Sequence, residues 1–430
     1  MRKKVLKLVE KYLQFLARWK IRRAKPKIVA ITGSYGKTST KEAIFHLLSK
    51  KFGSDVGKNW GNMNTEIGLP LAVLGLRSYS FGAGLIWDII RAKWNFCFYR
   101  LPKILVLELG VDKPGDMEFL LKIITPDVAL LTGISETHLE KLKDIEGVKK
   151  EKVKMLEALG KGGVAIINAD DENSKDLHTG PTSSRLSGAG KNVKMITFGK
   201  NGDISYSNLE VNAGGTSFDL KIGADLLKIN SKLIGEHSIY ILLAAAAVAN
   251  EFSIGTSEIK KGLEEIGPQK GRMNLIKVKN EILVLDDSYN SNPQSVTEAL
   301  KTLSAIKSSG RKVAILGNMN ELGGYTEKAH LQIGEEVGKV VDFLIAVGDN
   351  GGYLASGAEK SGLAKNQIAT FKTTEEVLPK LDNLLSAGDL ILVKASQNKM
   401  RFERIVKTLL DDPVLAKKLL VRQDKKWGNR

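Results

Sequence analysis

Cysteine is almost absent from this chain: Cys97 is the only one in 430 residues. No intrachain disulfide can form and one thiol cannot build a zinc site, so the chain is expected in a reducing cytoplasm. No run of 18 apolar residues occurs, which argues against a spanning helix. No small-residue cleavage site follows the N-terminal segment, whose apolar positions are interrupted by charges, so it is not a secretory signal. No internal repeat is apparent. Acidic residues are missing from one place in particular: residues 1–27 carry eleven lysines and arginines against Glu10 alone. Most of the formal charge of +17 therefore belongs to the N-terminus, and the remainder of the chain is only mildly basic.

What is present is an ordinary globular composition, 43% hydrophobic and 26% charged, long enough for two or three domains. In the basic segment, Val5, Leu8, Val9, Tyr12, Leu13, Leu16 and Trp19 recur at helical spacing. That is a basic amphipathic helix over 1–26, able either to pack on the domain or to lie on an anionic membrane surface. From residue 27 to about 170, apolar runs ("KIVAIT", "KILVLELG", "DVALLTGI", "GVAIINAD") alternate with helical patterns. This predicts a mostly parallel, helix-covered sheet. A loop follows at 179–192, then three segments with the period of antiparallel hairpins, then an alanine-rich helix from His237 to Phe252.

After Gly267-Pro268 the alternation restarts with "EILVLDDS", "KVAILGN", "FLIAVGD", "IATF" and "LILVKAS", a second doubly wound unit. The predicted fold is α/β, with a central domain at 27–267 and a C-terminal Rossmann-like domain at 268–430. Residues 76–102 stand apart, concentrating Phe81, Trp87, Trp94, Phe96, Phe98 and Tyr99 among basic residues. They suit either a helical cap over the core or a membrane interface.

The chemistry begins at "KIVAITGSYGKTSTKEA". A strand, a glycine loop and a helix in succession present backbone N–H groups and a helix N-terminus to phosphate. The commoner G-x-x-x-x-G-K-[ST] spacing would need glycine at position 31, where Ile31 stands, so the loop is a shortened one. Lys37 would neutralise β/γ-phosphate oxygens and the Thr38 hydroxyl would ligate Mg²⁺. Glu108 ends an apolar strand, where a carboxylate is costly unless paired or metal-bound. His138 lies just past the next strand, on the same sheet edge. Lys152, fourteen residues on, reads on composition alone as one lysine of a solvated helix.

Together these segments resemble the Mur ligase family over nearly the whole chain from Lys27. The phosphate loop stands as "TGSYGKTS", the asparagine-rich segment as "GNMNTEIGLP", and "GRMNL", "LDDSYNSNPQSV", "LGNMNELG", "AVGD" and "DLILVKASQN" follow in the family's order. The resemblance, strongest to the D-alanyl-D-alanine-adding branch, implies an ATP- and Mg²⁺-dependent amide-forming ligase of peptidoglycan precursor synthesis. In it a substrate carboxylate takes the γ-phosphoryl group and an amine then displaces phosphate. It implies an ATP site of Thr32, Gly33, Ser34, Gly36, Lys37, Thr38, Ser39, Arg272, Asp287 and Asn290. It also implies metal ligands Thr38, Glu108, His138 and a carbamylated Lys152, and substrate contacts at Asn62, Asn64, Thr65, Asn318, Glu321, His330, Lys394 and Ser396. Lys37, Glu108, His138, Lys152 and Arg272 are the catalytic set.

The pattern departs from the family in places. Ser238 and Ile241 occupy asparagine positions of an adenine-contacting segment, Asn318 stands for an aspartate, and Ala395 for a glycine. About 26 residues precede the loop, too few for the uridine-nucleotide-binding domain of that branch. Either the uridine end of the acceptor is held differently, or the acceptor lacks a nucleotide; the rival within the class is a Mur-type ligase joining a different amino acid to a different carboxylate carrier, a lipid-linked one among them. Beyond small-molecule substrates, peripheral contact with an anionic membrane at its inner face through 1–26 and 76–102 is expected. No nucleic-acid partner is, and the chain is expected to be a monomer. The rival from another class is a phosphate-loop ATPase switch with the basic arm as tether.

Overall fold

Strands buried on both faces need nearly continuous apolar sequence, and the apolar runs read as strands, "IATF" apart, stand inside two such sheets. The computed structural model describes residues 2–80, 84–179, 192–397, 400–424 and 427. Most of the expected loop at 179–192, and Phe81 with its two following neighbours, lie outside them. Among the described residues the first sheet comprises β1 (Lys27–Thr32), β2 (Val56–Lys58), β3 (Ile104–Glu108), β4 (Val128–Leu131), β5 (Val164–Asn168), β6 (Lys194–Phe198), β7 (Ile204–Asn212), β8 (Gly215–Ile222) and β9 (Asp225–Ser231). Their order is β2-β3-β1-β4-β5-β6-β7-β8-β9. Strands β2 to β5 are parallel to one another and to β1. Only Ala213 and Gly214 separate β7 from β8, and Gly223 and Ala224 separate β8 from β9. Links so short can join only antiparallel neighbours.

Strand order places the site. Strands β3 and β4 flank β1 on opposite sides, so the connections leaving β1 and β3 diverge. The carboxyl ends of β1, β3 and β4 therefore frame a crevice of the kind where open α/β sheets bind ligands. The second sheet comprises β10 (Asn274–Lys277), β11 (Leu283–Asp286), β12 (Lys312–Gly317), β13 (Phe343–Val347), β14 (Ile368–Phe371) and β15 (Leu390–Lys394). Their order is β10-β11-β15-β12-β13-β14, with only β10 antiparallel to its neighbour. Insertion of β15 between β11 and β12 gathers their carboxyl ends. Apolar clusters cover both faces of this sheet.

Two compact units result: 1–207 with 219–229 and 240–264, and 265–430 with 208–218 and 230–239. Segments 208–218 and 230–239 thus pack within the second compact unit although they stand between segments of the first in the chain. Local periodicity carries no signal for this. The short strands β2, β6 and β10 also go unread in the sequence pattern, because none of them is a continuous apolar run. The helix Glu236–Glu251 is buried all round from Leu242 to Ala249, as a helix without a polar face must be.

The basic N-terminal segment is the helix Arg2–Ala24, and the aromatic segment contains the helix Gly84–Phe98. Leu13 and Leu16 of the first pack with Leu71, Leu74 and Ala92, while Ala17 and Ile21 join the core of the central sheet. Each buried leucine or isoleucine contributes about 1.5–3 kcal/mol, enough to fix this helix on the first unit. Lys20 is drawn in as well, donating to the carbonyls of Asn95 (2.6 Å) and Phe96 (3.0 Å). No helix among the described residues is long and apolar enough to cross a membrane.

Candidate active site

In the first unit, β1 delivers Thr32 to a loop built on glycine. Gly33 has φ +152° and Gly36 has φ +72°, conformations that residues with a Cβ rarely adopt. The loop opens onto the N-terminus of the helix Lys37–Phe52, where Gly36 supplies no capping side chain. Residues past β4 hold it in place. Ser34 N donates to the Gly133 carbonyl (2.8 Å). Ser34 Oγ accepts from Ser135 N (3.0 Å) and from Thr137 Oγ1 (3.1 Å). Thr132 Oγ1 donates to the Tyr35 carbonyl (2.6 Å). Tyr35 Oη donates to Asp171 (3.0 Å), whose other oxygen accepts from Ile134 N (3.1 Å). None of Thr132, Thr137 or Asp171 is marked by the loop motif, although "LLTGISET" beyond an apolar strand could have drawn attention.

Two lysine amines meet at this loop. Lys37 Nζ donates to the Gly33 carbonyl at 2.6 Å, and Lys152 Nζ donates to the same oxygen at 2.9 Å. Lys152 is fully buried on the helix Ile145–Glu157, not on a solvated face as its charged neighbours suggest. Burial first, and then the nearby Lys37 cation, hold its pKa well below the ordinary lysine value. A neutral amine is the form that adds carbon dioxide to give a carbamate.

Glu108 closes β3 in a polar pocket. Its backbone is clamped by Asn59, which accepts from Glu108 N and donates to Glu108 O, both at 2.9 Å. Asn64 Nδ2 donates to Oε1 at 2.8 Å. Oε2 faces Lys41 Nζ at 3.5 Å, an ion pair in which neither atom has a hydrogen-bond partner among the described residues. Lys41 lies one helical turn beyond Lys37, so the i, i+4 spacing was the signal that could have found it. His138 has φ +57°, and its Nδ1 lies 3.3 Å from Asp112 Oδ1, an arrangement that orients the ring.

No group of three His, Cys, Asp or Glu side chains among the described residues forms a metal cluster. The donor set nevertheless fits Mg²⁺, which takes one or two carboxylates and completes its shell with phosphate and water oxygens. Glu108 offers a buried carboxylate oxygen that lacks a hydrogen bond among the described residues. Thr65 Oγ1 accepts from Gly68 N (3.3 Å), whereas Asn62 is exposed.

In the second unit, Asp287 follows β11. Its Oδ2 accepts from Lys394 Nζ at 2.5 Å and its Oδ1 from Met273 N at 3.2 Å. Lys394 also donates to the Asn290 carbonyl (3.0 Å). Ser396 Oγ donates to the Ser291 carbonyl (3.1 Å) and accepts from Asn320 N (2.9 Å), and Ser396 N donates to Asn318 O (3.0 Å). Asp287, Asn290, Asn318, Lys394 and Ser396 are thus one network at the gathered strand ends.

His330 is spent inside that loop system. Its Nδ1 donates to the Thr326 carbonyl (2.6 Å) and its Nε2 accepts from Met319 N (3.0 Å). Burial lowers its pKa and keeps the ring neutral. Glu321 is exposed, with φ +67°. Arg272 stacks its guanidinium on Tyr289 at 4.2 Å. Ser238 Oγ turns inward to the Gly235 carbonyl (2.6 Å).

Known proteins resemble this chain in sequence and fold. Residues 31–249 match the Mur ligase middle domain, and residues 271–397 match the Mur ligase, glutamate ligase domain. The chain is 28% identical over 403 residues to the UDP-N-acetylmuramoyl-tripeptide--D-alanyl-D-alanine ligase of Bacillus subtilis, covering 94% of this chain and 80% of that one. The Escherichia coli enzyme of the same name is also 28% identical, with 92% and 80% covered. Among solved structures, MurF from Acinetobacter baumannii superposes with a TM-score of 0.78 at 25% identity, covering 94% of this chain and 81% of that one. Thermotoga maritima MurF in complex with ADP gives 0.75 at 25%, covering 95% and 84%. With both domain families matched in chain order over more than half its length, the chain belongs to the Mur ligase family.

Proposed function

We propose that the protein is an ATP-dependent ligase that joins D-alanyl-D-alanine to a UDP-N-acetylmuramoyl-tripeptide in peptidoglycan precursor synthesis. The observation that carries this reading is the convergence of Lys37 and the desolvated Lys152 on the Gly33 carbonyl of the phosphate loop. The acceptor's terminal carboxylate oxygen attacks the γ-phosphorus, the bond to the β-bridging oxygen breaks, and ADP leaves. The amine of D-alanyl-D-alanine then attacks the acyl carbon, loses a proton, and expels phosphate as the carbon–oxygen bond breaks.

Such transfer between anions demands positioning and charge neutralisation. Lys37 exchanges its loop carbonyls for β/γ-phosphate oxygens, and the backbone of Gly33 to Gly36 with the first turn to Ser39 cradles the phosphates. Thr38 would hold one Mg²⁺ and Glu108, His138 and a carbamylated Lys152 a second; when bound, they would neutralise charge on the transferring group. Asp112 orients His138 as a carboxylate behind a metal-bound histidine does. Asp287 takes the ribose hydroxyls and Arg272 the phosphates. Asn64 and the Asn318–Ser396 network contact the two substrates, with His330 setting that loop from behind. The enzyme is proposed to work at the inner face of a membrane, held peripherally by residues 1–26 and 76–102.

The test is phosphate release by the purified chain with Mg-ATP, D-alanyl-D-alanine and UDP-N-acetylmuramoyl-tripeptide, omitting each in turn. Release that needs all three, with a pentapeptide product by mass, is expected. Lys37→Ala should reduce it by at least about a hundredfold, the scale of one lost transition-state contact. Release indifferent to both acceptors would replace the ligase by an ATPase switch. Silence with this pair but turnover on a lipid-linked acceptor would reassign the carrier.

A further inference from the structure

The N-terminal helix has two apolar stripes, and the fold uses only one. Leu13, Leu16 and Ala17 are buried. Leu8, Tyr12, Phe15 and Trp19 recur at i, i+4, i+7 and i+11, a single line along the opposite side, and all four are exposed, Phe15 to 63%. The neighbouring helix Gly84–Phe98 repeats the arrangement. Asp88 and Ala92 are buried, while Trp87, Ile90, Trp94 and Phe98 form an i, i+3, i+7, i+11 line with Ile86 beside it. Trp87 and Trp94 are each 67% exposed. The helices touch through Trp19 and Phe96, whose ring centroids are 4.9 Å apart.

Single exposed apolar residues are ordinary, but nine large side chains in stripes on two helices that touch mark an interaction surface. The charges around them select the partner. Lys4, Lys7, Lys11, Arg18, Arg22 and Arg23 on the first helix, and Arg91 and Lys93 on the second, are exposed. The only carboxylates on the two helices, Glu10 and Asp88, are half-buried and buried, and Asp88 accepts from Ser80 N (2.6 Å). A protein partner would need an acidic rim around an apolar trough. A leaflet of anionic phospholipid offers both as a continuous surface, and amphipathic helices with aromatic residues on one face and cations beside them bind it in the interface plane.

We infer that these two helices form a bidentate docking surface for an anionic phospholipid membrane, with Trp87, Ile90, Trp94, Phe15 and Trp19 entering the headgroup region. The inference gives a physical mode to the peripheral placement proposed above and is independent of the ligase chemistry. Its consequence is a site of action beside the leaflet rather than throughout the compartment.

The experiment is sedimentation of the full chain with vesicles of phosphatidylcholine alone and of phosphatidylcholine mixed with phosphatidylglycerol, at low and high salt. Tryptophan emission is recorded in parallel. Pelleting with the phosphatidylglycerol vesicles and a blue shift are expected. Lys11→Gln with Arg18→Gln should weaken binding about fivefold per charge at low salt and flatten the salt dependence. Trp87→Ser with Ile90→Ser should weaken it by about tenfold or more and diminish the blue shift. All four side chains are exposed, so thermal unfolding of the variants should match the parent. Absence of pelleting at low salt overturns the inference, as does pelleting undiminished by Trp87→Ser with Ile90→Ser. A concentration-dependent dimer in lipid-free solution that this variant abolishes also overturns it, since a second copy would then cover the face. Because sedimentation needs no turnover, an inactive ligase that pellets and an active one that does not are told apart.

Discussion

Asp286 ends β11 with its carboxyl fully buried, Oδ1 accepting from Ser288 N and Oδ2 without a hydrogen bond among the described residues. Burial, reinforced by Asp287 and Glu403 nearby, pushes its pKa up to about 6 from 3.8. The folded state therefore holds this proton where the unfolded chain has lost it. The stability it contributes is full below about pH 3.8 and is lost as pH rises through about 6. Urea unfolding between those limits should show a decline on the order of 3 kcal/mol that Asp286→Asn removes. An unchanged slope in the variant would assign the proton elsewhere. Single residues were legible where type and place agreed, as for Lys37 in its loop and Glu108 at a strand end. They were illegible where burial decides: Lys41 and Lys152 look like surface lysines until the fold encloses them.

At the scale of the element, the phosphate loop depends on what stands behind it. A Cβ on Gly33 would lie 1.9 Å from Thr132 Oγ1, in a backbone conformation that L-residues rarely adopt. A Cβ on Gly133 would lie 2.1 Å from Tyr35 Oη. Gly33→Ala should therefore cost about 1–3 kcal/mol and displace the Thr132 hydroxyl from the Tyr35 carbonyl. In urea titrations with and without Mg-ATP, the variant should lose both stability and the nucleotide-dependent increment. Retention of that increment would show that the loop tolerates the methyl group. The strand–loop–helix succession was readable because local chemistry makes it, with apolar residues, then glycines, then a helical pattern. The bracing by Thr132, Thr137 and Asp171 was not, since it joins residues about a hundred positions apart or more.

At the scale of the whole molecule, the chain divides into two compact units, and the phosphate loop lies wholly in the first. Mg-ATP at a hundredfold its dissociation constant should raise unfolding free energy by about 2.7 kcal/mol, read as a rise in the melting temperature. Lys37→Ala should show little of it. A parent chain indifferent to nucleotide would remove the proposed site, whatever its resemblance to known ligases.

The sequence by itself determined the two alternating α/β regions, the shortened phosphate loop, the family, and the basic and aromatic character of two helices. Each of these is written in composition, period or motif within a short window. Only the tertiary structure decided that Lys152 is a desolvated amine at the loop, that Glu108 faces Lys41, and that His330 is consumed by its own backbone. It alone packed segments 208–218 and 230–239 with a later part of the chain and left one stripe of each helix uncovered. The physical reason is common to all of them. Burial, pKa and partnership depend on which distant segments arrive beside a residue, and that is a property of packing, not of spacing along the chain.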